Sequence, residues 1–454
     1  MDILIKNGTI VRSTGKFVSD LLISNGKIAK IAANIDSETS DTKIINAEGK
    51  YIFPGGIDPH VHMHLPTPAG YSADDFETGS IAALWGGTTT LLDFVTPNKG
   101  QTLTDALNKR IEEAQNALCD YSLHVSPVEW TKTTEEELQS CKNEGIKSFK
   151  VYMAYKNSIG LENADIEKVM QAVSKLGGLV TLHCEIGDEI EELRQKAFDN
   201  GQIEPKYHPA TRPAHTEANA VKEAIELGKS TGCPIYIVHT SAEESLKYIS
   251  EAQNAGQTVI SESCPHYLLL DDSMLDTDFE SAAPFMMSPP LRKKSDQEAL
   301  WEAIKSGVVT TIGTDHCPFN MAQKAAGKTD FRKTANGTGG VEHRLSLLYT
   351  YGVLENRISL EQFVDISSTQ AAKTFGLYPQ KGEIAVGSDA DILVWNPETK
   401  HEISVKNHHQ NTDNNPFEGF KTKGIPEIVI SNGQIAIENN QFHKKNLKGK
   451  FLRR

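Results

Sequence analysis

Two histidines one residue apart, His60 and His62, close an apolar run at 56–63. A strand alternates its side chains, so both rings, and Asp58 two residues earlier, project from one face. Farther along, His183 ends a run at 179–185, His239 a run at 234–241 and Asp315 a run at 309–316. Four neutral imidazoles and one carboxylate make a Zn²⁺-type donor set if those strand ends converge. Lys150, inside Ser148-Phe-Lys-Val-Tyr-Met153, points toward the same place. A protonated lysine beside two dications is repelled and cannot ligate them. Burial near positive charge lowers its pKa, and the free amine can then add CO₂ to become a carbamate whose two oxygens bridge two metals. Charge alone leaves an ordinary outward-facing lysine equally open.

Convergence requires a barrel. Eight β-rich runs recur at 56–63, 88–95, 121–127, 148–153, 179–185, 234–241, 258–267 and 309–316. Amphipathic stretches such as 104–118, 164–176, 216–229 and 295–306 lie between them. Ser241-x-x-Glu244 and Ser295-x-x-Glu298 read as capping boxes, and Gly177, Gly178 and Gly256 sit where helix C-caps belong. Eight strands alternating with helices give an α/β chain with a (β/α)8 TIM-type barrel over 54–379, whose chemistry belongs at the strands' C-terminal ends. An open doubly wound sheet is the rival, and no G-x-G-x-x-G fingerprint supports it. Asn7-Gly8, Asn25-Gly26 and Asn432-Gly433, each between apolar or β-branched runs, predict type I′ hairpins. Single hairpins are barely stable alone, so 1–53 and 380–440 are expected to join in a small β-sandwich domain. The basic stretch 441–454 (Lys444, Lys445, Lys448, Lys450, Arg453, Arg454) reads as a tail, solvated or reaching across a subunit interface.

Composition removes other classes. Of 454 residues, 46 are Lys or Arg and 60 are Asp or Glu, a net charge of −14 that repels nucleic acid and anionic membrane surfaces. No apolar run approaches the roughly 20 residues needed to cross a bilayer, and the N-terminus lacks the basic-then-apolar order of a signal peptide. Six scattered cysteines without a C-x-x-C pair read as reduced thiols of a cytoplasmic enzyme.

Several stretches are more specific still. They are Pro54-Gly-Gly-Ile-Asp-Pro-His-Val-His62, Gly86-Gly-Thr-Thr-Thr90, Ser148-Phe-Lys-Val-Tyr-Met-Ala-Tyr155, Met287-Ser-Pro-Pro-Leu-Arg292, Gly313-Thr-Asp-His-Cys-Pro318, Asn336-Gly-Thr-Gly-Gly-Val-Glu342 and Gly382-Glu-Ile-Ala-Val-Gly-Ser-Asp-Ala-Asp391. In this order, and across essentially the whole chain, they resemble the amidohydrolase superfamily and within it the dihydropyrimidinase/D-hydantoinase family. The resemblance implies two divalent metals, zinc first among zinc, manganese and cobalt. His60, His62 and Asp315 would hold one, His183 and His239 the other, and Lys150, carboxylated by CO₂, would bridge them. It further implies that Tyr155 donates a hydrogen bond to the developing oxyanion and that Asp315 carries the proton. Backbone groups of Ser288 and Asn336 would grip the cyclic amide edge, while His316 and Cys317 have supporting roles.

The implied substrates are small cyclic ureides, 5,6-dihydropyrimidines or 5-substituted hydantoins, opened to N-carbamoyl amino acids by a homotetramer or homodimer. Dihydroorotases typically follow H-x-H closely with an arginine. Met63-His64 stands here instead, which disfavours an anionic pyrimidine. Allantoinase is the nearer alternative, and Met153-Ala-Tyr-Lys-Asn157 favours the first reading. A non-catalytic scaffold is the third, but its mark is a missing ligand, and none is missing. Leu65, Tyr152 and Ile159 are expected to form an apolar-to-aromatic pocket for the exocyclic group.

Overall fold

The computed structural model describes residues 2–36 and 41–454; residues 1 and 37–40 of the expected N-terminal segment lie outside them. Strands β1 (Ile3–Arg12), β2 (Gly15–Ser24), β3 (Lys27–Ala32), β4 (Lys43–Asn46) and β5 (Tyr51–Pro54) open the chain. Asn25-Gly26 turns β2 into β3 with φ of 51° and 74°, the positive values a type I′ turn demands. Asn7-Gly8 does not turn the chain. It is a bulge inside β1, where the register against β2 steps from Ile5–Leu21 to Gly8–Ser19. Before the bulge β1 pairs in parallel with β4, and after it with β5. The bulge therefore hands the strand from one neighbour to the next, a usual function of such kinks. A Cβ on Gly8 would lie 2.6 Å from Ile52 Cγ1, so only glycine lets β5 approach. The turn that does join β1 to β2 falls at Ser13-Thr14.

The chain then enters the barrel at β6 (Gly56–Val61), followed by a short hairpin of β7 (Pro66–Thr67) and β8 (Gly70–Tyr71). The remaining barrel strands are β9 (Thr88–Val95), β10 (Asp120–Val125), β11 (Ser148–Tyr152), β12 (Leu179–His183), β13 (Ile235–Ile237), β14 (Val259–Ser263) and β15 (Thr311–Ile312). Pairing is parallel and sequential from β6 through β15, without the order reversal that a doubly wound sheet requires. Residues just past the first and last strands close the ring, where His62 N donates to His316 O at 2.8 Å. Strands β13 and β15 are short because the backbone leaves extended geometry at His239 (φ 37°) and Asp315 (φ 50°). Neither expected capping box forms. The helix Glu243–Asn254 starts after Ala242, and the Ser241 hydroxyl serves Glu217 instead. The helix Lys294–Ser306 starts one residue before Ser295, with Asp296 accepting from Lys293 N at 3.1 Å. Gly177 and Gly256 do follow their helices in the left-handed region.

After the barrel come β16 (Ile392–Glu402), β17 (Lys421–Ser431), β18 (Gln434–Glu438) and β19 (Gln441–Phe442). Asn432-Gly433 makes the β17–β18 turn. Strand β16 pairs with β5, so both ends of the chain build one nine-stranded sheet around a shared core that includes Ile3, Ile10, Leu21, Ile52, Ile392 and Ile430. The basic tail lies on its own chain. Tyr121 N donates to Lys450 O at 3.0 Å, Leu452 N to Tyr121 O at 2.7 Å, and the Arg454 guanidinium reaches Leu123 O. It runs along the start of β10, at the barrel end opposite the histidines.

One buried cation fastens the two parts together. Lys381 Nζ lies 2.6 Å from Asp120 at the start of β10, and 3.0 and 2.5 Å from Asp389 and Asp391, which lead into β16. Removing one partner of a buried ion pair strands the others. Lys381→Met is therefore expected to cost about 3–5 kcal/mol of stability, measured as a lower urea midpoint at unchanged m-value.

Candidate functional site

The strand ends do converge. His60 Nε2 and His62 Nε2 are 3.2 Å apart, and Asp315 Oδ1 lies 3.1 and 3.0 Å from them. On the other side His183 Nδ1 faces His239 Nε2 at 2.9 Å, and the His60 and His239 ring centroids are 5.5 Å apart. His239 and Asp315 are delivered by the strained left-handed backbone that ends their strands, the kind of cost that collects at functional sites. Lys150, His183 and His239 are buried, as is His60.

Two carboxylates decide which nitrogen of the His60 and His183 rings faces inward, and neither figured among the candidate ligands. Glu262 Oε1 accepts from His60 Nδ1 at 2.7 Å and from the backbone N of His239 at 3.0 Å. Tyr236 Oη holds its second oxygen at 2.7 Å. Glu185 Oε2 accepts from His183 Nε2 at 2.7 Å and is itself gripped by Arg212. His60 and His183 thus each give one ring nitrogen to a carboxylate and turn the other toward a neighbouring donor atom, while His62 Nδ1 is buried without a hydrogen-bond partner among the described residues. Ring nitrogens paired at 3.2 and 2.9 Å, with Asp315 3.0–3.1 Å from two of them, make a donor set that fits divalent metal ions. The signal in the sequence was an acid in the middle of an otherwise uncharged strand, Ile260-Ser-Glu-Ser263, and one directly after His183-Cys184.

Electrostatics agree with that reading for three of the four rings. Burial keeps His62 and His183 below the ordinary imidazole value and His239 far below it, so these rings stay neutral and can donate. Burial opposes protonation of His60 as well, but Asp315 and Glu262 outweigh it and hold the ring up at about 9. Burial would raise Asp315, yet His60 and His62 hold it well below the usual carboxylate range. Lys150 has no ion-pair partner among the described residues. Its Nζ sits 5.0 and 5.1 Å from the Phe94 and Tyr152 rings, and burial lowers its pKa to about 8. A free amine is therefore accessible near neutrality.

All the residues singled out in the sequence, His60, His62, Lys150, Tyr155, His183, His239, Ser288, Asp315 and Asn336, line one cavity of about 570 Å³. Tyr155, at φ 59°, lies against His183 (ring centroids 5.2 Å), with the Arg212 guanidinium 5.5 Å from its ring. Asn336 Nδ2 donates to Ser288 Oγ at 3.2 Å, so these two loops meet across the mouth. Leu65, Tyr152 and Ile159 form the apolar wall, as expected; Asn98, Gln101 and Lys109 add a polar margin that sequence reasoning missed. Asp58 takes no part in the donor cluster. It ties β6 to β15 by accepting from His60 N at 3.2 Å and Thr314 Oγ1 at 2.6 Å. His316 points away to Asp74 at 3.0 Å, in keeping with a supporting role. Glu262→Gln, which leaves His60 without its anionic acceptor, is expected to weaken divalent-metal binding about 10–100-fold, read by competition against a chromogenic chelator.

Comparison with known proteins places this architecture. The model of the amidohydrolase family matches residues 51–436. A D-hydantoinase from Geobacillus stearothermophilus is 44% identical over 99% of this chain and 96% of its own length. A dihydropyrimidinase from Rattus norvegicus is 38% identical over 100% and 88%. Among solved structures, dihydropyrimidinase from Brevibacillus agri NCHU1002 superposes with a TM-score of 0.97 at 41% identity, covering 100% of this chain and 99% of that one. The L-hydantoinase (dihydropyrimidinase) from Arthrobacter aurescens superposes at 0.91 and 29% identity over the full length of both. The barrel and the appended β-sheet domain are those of a family to which this chain belongs, the amidohydrolases, in their D-hydantoinase/dihydropyrimidinase branch.

Proposed function

We propose that the chain is a binuclear metal-dependent cyclic amidohydrolase that opens 5,6-dihydropyrimidines or 5-substituted hydantoins to N-carbamoyl amino acids. The observation that carries this reading is the pair of donor clusters with, beside them, a buried lysine that has no ion-pair partner among the described residues. His60, His62 and Asp315 would hold one ion and His183 and His239 the other. Lys150 would span them after its amine adds CO₂, forming an N–C bond and releasing one proton. Zinc is our first assignment, and a cytoplasmic homotetramer or homodimer belongs to the same proposal. The bound ions supply a water nucleophile of lowered pKa and polarise the scissile carbonyl.

The rest falls to the chain's own side chains. Backbone groups of Ser288 and Asn336 hold the ring's amide edge, while Leu65, Tyr152 and Ile159 receive the exocyclic substituent. Asp315 accepts the proton of the attacking water. Tyr155 donates its hydroxyl hydrogen bond to the oxygen on which negative charge develops. Burial raises the Tyr155 pKa against the opposing pull of Arg212, so the phenol keeps its proton in the working range. Collapse breaks the ring C–N bond, and Asp315 returns the proton to the departing nitrogen.

Kinetics of the metal-reconstituted protein on dihydrouracil, phenylhydantoin and allantoin, with and without bicarbonate, test the reading. Preference for allantoin would move the chain to allantoinase, and inertness toward all three would end the proposal. Tyr155→Phe is expected to lower kcat about 10²–10³-fold with metal content unchanged. Lys150→Ala is expected to lose both metal and activity, and a short carboxylic acid added to the buffer should restore part of each.

A further inference from the structure

Outside the cavity, one charged group is buried in a place that the reaction does not explain. Lys324 ends a short helical turn, Met321–Lys324, in the long connection after β15, and its side chain is fully buried. No carboxylate among the described residues pairs with it. Its Nζ donates instead to three backbone carbonyls: Gly337 O at 2.8 Å, Ala335 O at 2.9 Å and Met286 O at 3.4 Å. An ammonium has three donors, and here they meet three acceptors. Taking an ammonium out of water is costly, and burial lowers the pKa of Lys324 to about 7 against a smaller opposing pull from Cys317.

The identity of those carbonyls gives the lysine its purpose. Ala335 and Gly337 flank Asn336, and Met286 lies two residues before Ser288. Gly337 N also donates to Met286 O at 2.9 Å, and Asn336 reaches Ser288 directly, so the two segments are tied at the front and pinned from behind. The fit leaves no slack: a Cβ on Gly337 would lie 2.3 Å from Cys317 O. Lys324 itself does not line the cavity.

We infer that Lys324 is a positioning residue for the cyclic amide: it fixes the spacing between the Ser288 and Asn336 segments and thereby sets ring affinity and ring-size preference. This rests on the reading that the ring lies against those two segments. Lys324→Met keeps length and bulk but removes every donor, and Lys324→Gln retains two. A displacement of about 1 Å at the ring edge is enough to lose about 10²-fold in kcat/KM. In metal-reconstituted full-length enzyme, Lys324→Met should raise KM for dihydrouracil and hydantoin at least tenfold. It should also change the ratio of their kcat/KM values, with metal stoichiometry and lysine carboxylation unaltered; Lys324→Gln should fall between it and wild type. Unchanged KM and unchanged ratio, with only the amount of active protein reduced, would overturn the inference. So would misfolding of both variants, which would make the lysine a stability element. Wild-type enzyme inert toward every ring fails in a different way, by removing the function on which the inference depends.

Discussion

Four imidazoles do not gather around one point of a protein interior without something to orient them. In this barrel the agents are Glu262 and Glu185, which take the outer N–H of His60 and His183 and so orient the rings. Much of the surrounding architecture serves those two carboxylates. Tyr236 and the His239 backbone amide fix Glu262, and Arg212 fixes Glu185. Burial would raise Glu185, but Arg212 and then His183 overcome it and keep the carboxylate ionised. The same Arg212 stands over Tyr155, so one guanidinium couples histidine orientation to the group placed for oxyanion contact.

The barrel divides its labour along the strand axis. Its C-terminal mouth gathers polar groups whose mutual repulsion must be managed. Its opposite end is closed by the chain's last residues and clamped to the β-sheet domain through Lys381 and three aspartates. Among the described residues, the positions other than glycine and asparagine at positive φ are His64, Tyr155, His239 and Asp315, and ordered barrel and sheet on the other side hold them in place.

The mouth was legible in the sequence because strand alternation is rigid. A histidine at the last position of a β-run has few places to point, and His60, His62, His183 and His239 therefore arrive together. Asn7-Gly8 shows the limit of that logic: Asn7 takes the positive φ that the pair offers while Gly8 does not, and only pairing partners distant in sequence distinguish a bulge from an I′ turn. Ser241 and Ser295 matched a capping pattern, but Glu217 and Asp296 competed for the same hydrogen bonds. Glu262 and Lys324 stayed hidden for a different reason. Their meaning lies in atoms that leave no trace in residue type, ring nitrogens for one and main-chain carbonyls for the other. The backbone pairing of the basic tail with Tyr121 was equally unreadable, because charge along 444–454 says nothing of it.

The β5–β16 pairing has a cost that falls during synthesis. Strand β5 cannot find its antiparallel partner until about 340 further residues have left the ribosome, at ~5–20 residues per second a wait of many seconds to a minute. Through that interval the N-terminal ribbon presents an open β-edge, the template on which intermolecular aggregation begins. Completion of the nascent barrel is what shields it, which makes yield in a heterologous host sensitive to elongation rate and chaperone supply rather than to final stability alone.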